Sequence, residues 1–143
     1  MQVIKETKVI RVRKTADLAQ LAEAGKTIKA GGLVAFPTET VYGLGGDALD
    51  PAVAGRIYAA KGRPADNPLI VHIADPEEIW PLVKFLPTEA ESLIERFWPG
   101  PLTLVFAASS AVPSRTRGGL DTVALRMPAH PVALALIEAG GCP

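Results

Sequence analysis

The sequence predicts a single α/β layered domain with a mixed sheet, and three observations carry that expectation. Short apolar runs bounded by Gly and Pro alternate with stretches of helical spacing. Two pairs, Asp50-Pro51 and Asp75-Pro76, each place an N-cap residue before a proline suited to the first helical turn. The 143 residues fill one domain and leave no room for a second full one.

Residues 9–13 set β-branched side chains among cations in near alternation, which predicts a strand with one wet face at a sheet edge. Thr15 can cap a helix whose apolar positions Leu18, Leu21, Ala22 and Ile28 recur at helical spacing, and Gly31-Gly32 supplies a left-handed stop. Residues 33–36 are wholly apolar, the pattern of a buried strand, and their end delivers Pro37-Thr38-Glu39-Thr40 to a sheet edge. The helix opened by Asp50-Pro51 runs through Ala60. Asp75-Pro76 opens another, with Glu77 and Glu78 favouring its N-terminus, and Thr88 with Glu91 forms a capping box for a further helix reaching Trp98. Residues 69–73, 102–108 and 122–126 read as strands, and 131–139 as a last helix closed by Gly140-Gly141.

Composition narrows the function classes. Apolar residues make up 48% of the chain and charged residues 21%, which rules out wholesale disorder. Fifteen Lys plus Arg balance fifteen Asp plus Glu, so no overall field marks a histone-like or membrane-surface protein. The balance is local: residues 1–30 carry seven cations against three anions, and residues 75–95 six anions against Lys84 alone. Two readings stand for these stretches, solvated faces or a basic face for RNA phosphates. The single Cys142 makes no internal disulfide and reads as a small buried apolar residue. With no apolar signal core behind the N-terminal cations and no run near the roughly 20 residues of a membrane span, the expected compartment is cytoplasmic.

No standard nucleotide loop is present, no Ser sits in a G-x-S-x-G elbow, and no Cys/His cluster has metal spacing, so no metal ligand is expected. Four segments gather polar residues at strand ends or in stiff loops. In residues 37–45, hydroxyls and a carboxylate follow a strand, where open α/β sheets put ligands. In residues 61–72, Lys61 and Arg63 follow a helix in a proline-stiffened loop. They suit a polyphosphate, or form a solvated pair. His72 there is either a hydrogen-bonded core residue or a base. Residues 98–103, around Trp98-Pro99-Gly100-Pro101, read as a rigid helix-to-strand corner. Residues 122–128 drive Arg126 to a strand end, where it can clamp a carboxylate. Together these describe a pocket for an anionic ligand, without fixing a reaction.

The four segments, PTETVYGLG, KGRPADNPLIVHI, WPGPLT and TVALRMP, in this order, resemble the YrdC family, the threonylcarbamoyl-AMP synthases of tRNA modification. The resemblance implies a twisted, open mixed sheet with helices and a concave basic cavity. It implies joining of L-threonine, bicarbonate and ATP, with Mg²⁺, into threonylcarbamoyl-adenylate and pyrophosphate. A separate threonylcarbamoyl transferase complex would then pass the group to tRNA, with a tRNA or double-stranded RNA contact on the domain and no membrane. By matching position, Thr40, His72 and Arg126 correspond to threonine contacts, Arg126 on the carboxylate. Arg63, Asn67 and Thr122 correspond to ATP contacts, with Lys61 in the phosphate site and Lys61 and Arg63 supplying catalytic charge. Members of the family continue beyond Gly-Cys-Pro into a strand and a Ser-Ala-Asn motif. The 1–143 domain therefore reads as truncated at its C-terminus or, failing that, as crippled in its reaction. The rival class is a non-catalytic RNA- or nucleotide-binding module of the same fold, and a generic phosphate hydrolase is a third.

Overall fold

The computed structural model describes residues 6–143. Among them run β1 (Val34–Phe36), β2 (Gly43–Gly45), β3 (Ile70–His72), β4 (Leu104–Ala107) and β5 (Thr122–Arg126). The α-helices are α1 (Leu21–Lys29), α2 (Pro51–Lys61), α3 (Thr88–Phe97) and α4 (Pro131–Gly140). The architecture is a mixed α/β one with open sheets. The strands make two sheets rather than one: an antiparallel β1–β2 ribbon, and a three-stranded sheet in the order β3-β5-β4. In the latter β5 is parallel to β3 and antiparallel to β4.

Pleating gives the larger sheet a dry face and an open one. Val71, Val123, Leu125 and Phe106 alternate onto the dry face and join Ile73, Leu82 and Trp98 in the main core. Leu125 is fully enclosed, and truncating it to Ala removes burial of the kind that costs about 2–5 kcal/mol. Because β3 and β5 are parallel with His72 opposite Arg126, the alternate residues His72, Thr122, Ala124 and Arg126 share the other face. A second core lies between α1, α4 and Phe36, built from Leu21, Ala24, Ile28, Ala133 and Leu136.

Several local expectations are met atom by atom. The Asp50 carboxylate accepts from Ala52 N at 2.9 Å, and α2 ends at Gly62 with φ +62°. Asp75 accepts from Glu77 N at 2.8 Å, but the segment it opens, Pro76–Leu82, is a 3₁₀ helix. Pro81, which has no N–H to donate, lies inside it. The corner at residues 98–103 holds a cis Trp98–Pro99 bond, and the Trp98 indole donates to Leu102 O at 2.8 Å.

Other expectations fail for identifiable reasons. Residues 9–13 form no strand. Ile10 and Val12 do face the second core while Val9, Arg11 and Arg13 stay exposed, so the alternation recorded a packing face without a ladder partner. The first cation of that basic stretch, Lys5, lies outside the described residues. Thr15 does not cap. It begins a 3₁₀ turn, Thr15–Gln20, and the Asp17 carboxylate takes the backbone N–H groups of Arg13 and Lys14 at 2.9 and 3.2 Å instead. Ala22 faces solvent on α1. Thr88 is already inside α3, behind Pro87 at the cap, so the Thr88/Glu91 capping box does not form. β1 has a partner on one side only, and of its residues only Phe36 is buried.

Helices α1 and α4 approach closely because glycines line the contact. A Cβ on Gly25 would stand 2.5 Å from the Ala139 carbonyl oxygen, and one on Gly140 would stand 3.0 Å from the Ile28 side chain. In an exposed helix Gly→Ala gains about 1 kcal/mol. At Gly25 the collision is with backbone, so Gly25→Ala is expected to lose about 1–3 kcal/mol by overpacking. Urea denaturation measures the difference, and a stabilised variant would contradict the packing described.

Candidate functional site

Arg126 closes β5 and is held from three directions. Its Nε donates to Gly100 O at 3.2 Å, its Nη1 to the Thr40 hydroxyl at 3.4 Å, and its Nη2 to Glu39 Oε1. The other carboxylate oxygen of Glu39 accepts from Ala129 N at 2.5 Å. The Arg126 side chain is 9% exposed and that of Glu39 24%, so the pair sits at an opening with the guanidinium on the inner side. Burial alone would raise the Glu39 pKa, but the bonds from backbone N–H groups and the Arg126 charge outweigh it and hold the carboxyl below its ordinary value. Glu39 is therefore ionised at neutral pH.

The loop carrying Glu39 and Thr40 is braced by its own hydroxyls. Thr38 Oγ1 donates to Val41 O at 2.6 Å, accepts from Thr40 N at 3.3 Å and lies 3.1 Å from Thr40 Oγ1. Such Ser/Thr-to-backbone bonds fix turns without secondary structure. The bracing orients Thr40 toward Arg126.

His72 sits opposite Arg126 in the sheet register. Its Nδ1 lies 3.0 Å from Ile70 O, and a carbonyl can only accept, so Nδ1 carries the proton and Nε2 keeps its lone pair. Phe36 packs against the ring edge-on at 6.0 Å. Burial pushes the imidazole pKa down, and the Arg126 charge adds to that, against the Ile70 bond and Glu39. A neutral imidazole is the result at pH 7.

A cavity of about 200 Å³ lies beside this cluster, with Lys61, Arg63 and His72 at its polar margin and Asp47 and Cys142 also on its wall. Its floor is apolar, from Ile57, Leu69, Val71 and Leu136 among others. Arg63 follows the Gly62 turn, with its Nη2 donating to Pro68 O at 2.9 Å. Its Nε is buried without any hydrogen-bond partner. An unmet N–H of that kind costs about 1–3 kcal/mol. Lys61 is exposed, Arg63 half-buried.

The sequence-predicted residues thus fall into groups. Thr40 and Arg126 meet directly, while Lys61, Arg63 and His72 share the cavity, and the strand register places His72 next to Arg126. Asn67 is exposed in the following turn, its N–H bonded to Pro64 O at 3.1 Å, and it does not line the cavity. Thr122 shares the sheet face of Arg126 but lies at the other end of β5, paired with Ala107, about 13 Å away at a strand's rise per residue. Glu39 is the carboxylate that the sequence places after β1, without a role, and the Gly100 carbonyl lies in the 98–103 corner; only the fold brings both onto one guanidinium. Cys142 is half-buried rather than buried. Its thiol is pushed up to about 11, by burial first and then by the Asp47 carboxylate, so it stays protonated.

Among the described residues no group of three or more His, Cys, Asp or Glu could hold a metal ion, and no helix is long and apolar enough to cross a membrane.

Comparison with known proteins extends this picture. The family model named Sua5/YciO/YrdC, described as telomere recombination, matches residues 26–143. Over 132 residues the chain is 58% identical to a threonylcarbamoyl-AMP synthase of Pyrococcus abyssi, covering 92% of this chain and 39% of that protein. It is 51% identical over 125 residues to the Bacillus subtilis threonylcarbamoyl-AMP synthase, covering 87% of this chain and 36% of that one. The chain therefore spans about two fifths of the length of these two relatives. The fold superposes on a crystal structure of P. abyssi Sua5 complexed with L-threonine, with a TM-score of 0.93 at 57% identity over 96% of this chain and 40% of that one. It also superposes on E. coli YciO, with a TM-score of 0.77 at 27% identity over 88% and 61% of the two chains. By sequence and by fold, the chain belongs to the Sua5/YciO/YrdC family.

Proposed function

We propose that this domain serves the synthesis of L-threonylcarbamoyladenylate from L-threonine, bicarbonate and ATP, with release of pyrophosphate. The observation that carries the reading is the meeting of Arg126 with Thr40 beside a neutral His72, in a chain 58% identical to a protein named threonylcarbamoyl-AMP synthase. A guanidinium and an imidazole lone pair on one sheet face, with a loop hydroxyl bonded to the guanidinium, match the carboxylate and hydroxyl of a small hydroxy amino acid. Arg126 takes the carboxylate, with Thr40 and His72 on the rest of the molecule. Arg63, Asn67 and Thr122 bind ATP, and Lys61 shares the phosphate subsite.

The chemistry asks little covalent work of the protein. Bicarbonate takes up the proton that the threonine ammonium gives up and loses water to form carbon dioxide; the free amine attacks its carbon, one C=O π bond opens to the oxygen, and a second N–H proton leaves to solvent, giving a carbamate. A carbamate oxygen then attacks the α-phosphorus of ATP, the bond to the bridging oxygen breaks, and pyrophosphate leaves. Lys61 and Arg63 offset the charge of the phosphates, and the fixed positions of the reactants replace a chance encounter. Mg²⁺ enters as part of the substrate. Held by the ATP phosphates, it would offset their charge alongside Lys61 and Arg63. No protein nucleophile is required, in keeping with a Cys142 thiol held protonated.

Within the same proposal the domain acts in the cytoplasm and hands its product to a separate threonylcarbamoyl transferase complex acting on tRNA. The exposed Arg11, Arg13 and Lys14 are the surface for an RNA phosphate contact.

A pyrophosphate-release assay tests the reaction: release is expected only with ATP, threonine and bicarbonate together, and release from ATP alone contradicts it. Calorimetry separates the subsites. Arg126→Lys is expected to weaken L-threonine binding roughly 10- to 100-fold, the scale of a lost charged hydrogen bond, and to leave ATP binding nearly unchanged, while Arg63→Ala does the reverse. A variant that weakens both ligands equally contradicts the assignment. Alkylation of Cys142 by iodoacetamide should be about 100-fold slower near pH 7.5 than at an ordinary cysteine, since only the thiolate reacts. The rate is expected to go on rising as the pH approaches about 11, and a rate that levels off by about pH 10 would show an unshifted thiol.

A further inference from the structure

Glu39 has no role in the reaction as outlined, yet it is the most heavily engaged carboxylate at the site. It bridges two separate segments. One oxygen takes Arg126 Nη2 at the end of β5, and the other takes Ala129 N in the connection to α4. Its consequence for a carboxylate ligand looks unfavourable at first. An ionised Glu39 beside Arg126 cancels the charge that would draw an anion, and it lies where a bound carboxylate would feel it at short range.

Counting hydrogen-bonding capacity resolves the conflict. A guanidinium has five N–H donors. Gly100 O, the Thr40 hydroxyl and Glu39 take one each, from Nε, Nη1 and Nη2 respectively. One donor is left on each terminal nitrogen, the number a carboxylate uses when it binds bidentately. An ionised carboxylate has about four acceptor positions. Arg126 and Ala129 N take one on each oxygen, which leaves one on each. The pair therefore keeps two donors and two acceptors with no net charge. It opens outward on the Glu39 side, whose side chain is 24% exposed. The neighbouring His72 is neutral and adds no charge of its own. A plain anion finds such a site half-repellent. A zwitterion, whose ammonium and carboxylate are joined through one carbon, finds a partner for each end.

We propose that Glu39 is a specificity-determining residue: with Arg126 it forms a net-neutral donor and acceptor pair that takes the ammonium of an α-amino acid on Glu39 and its carboxylate on Arg126, and so selects zwitterions over simple carboxylates. This deepens the reading of Arg126 as the carboxylate ligand and rests on it. The selection acts before any chemistry, because it concerns which molecule is bound. It also places the amine that must become the carbamate against a fixed carboxylate.

The test compares L-threonine with 3-hydroxybutyrate, which is threonine without its amino group, by calorimetry on the chain and on Glu39→Gln. Glutamine keeps the size of the side chain and an oxygen for Ala129 N, but it removes the charge. Losing the attraction to the ammonium weakens threonine, and losing the repulsion of the carboxylate strengthens 3-hydroxybutyrate, so both effects move the affinity ratio the same way. The ratio is expected to fall at least tenfold. Glu39→Asp keeps the charge and is expected to hold the preference for threonine, even if both ligands bind less tightly. Should Glu39→Gln fail to give a folded circular dichroism spectrum, the unmodified chain carries the test: it is expected to bind L-threonine at least tenfold more tightly than 3-hydroxybutyrate, and equal affinities overturn the proposal. A ratio unmoved in Glu39→Gln, or both ligands weakened equally, means that Glu39 only props up the loop and overturns the proposal. If the unmodified chain binds threonine and the ratio does not move, the threonine reading survives without this inference. If the unmodified chain binds neither compound, the threonine reading itself falls and takes the inference with it.

Discussion

Arg126 is the point through which the parts of the molecule act together. It ends the central strand of the larger sheet, yet its side chain reaches the β1–β2 connection through Glu39 and Thr40 and the α3–β4 corner through the Gly100 carbonyl. The two sheets share no strand pairing, so these polar bonds are what fix the loop of one against the end of the other. A charge this enclosed is costly without partners, and removing one member of such a pair leaves the other stranded. The pair is therefore poor at adding net stability but strict about geometry. That strictness is what a ligand site on a loop needs.

Around this point the open sheet face divides the work. The end of β5, with His72 beside it from β3, presents directional donors and acceptors. The neighbouring cavity presents an apolar floor with Lys61 and Arg63 at its margin. The first arrangement suits a small polar molecule held by several short bonds, and the second suits a larger ligand with a flat apolar part and a charged tail. The parallel β3–β5 register joins them, since it sets His72, which borders the cavity, opposite Arg126.

Much of this was legible in the sequence because it depends on local chemistry. Asp50-Pro51 opens α2 because capping is decided by a few adjacent residues, and the expected end at Ala60 falls one residue short of Lys61. Residues 122–126 were read as a strand to the residue, since alternation against a buried face leaves little choice of register. The failures came where a pattern had more than one physical cause. The alternation at residues 9–13 marked a face packed on a helical core, not a ladder, and Thr88 lost the capping position to Pro87 one residue earlier. The site divides in the same way. Arg126, His72, Lys61 and Arg63 stand at strand or helix ends, where function is expected, but Glu39 belongs to the site only through a partner 87 residues away in sequence. No local signal encodes that.

The most direct test of the account is a crystal structure of the chain soaked with L-threonine. The threonine carboxylate should lie within hydrogen-bond distance of Arg126 while Glu39 keeps its bond to Ala129 N and faces the ammonium. Threonine bound away from Arg126, or Glu39 swung off the guanidinium to make way for the carboxylate, would contradict it.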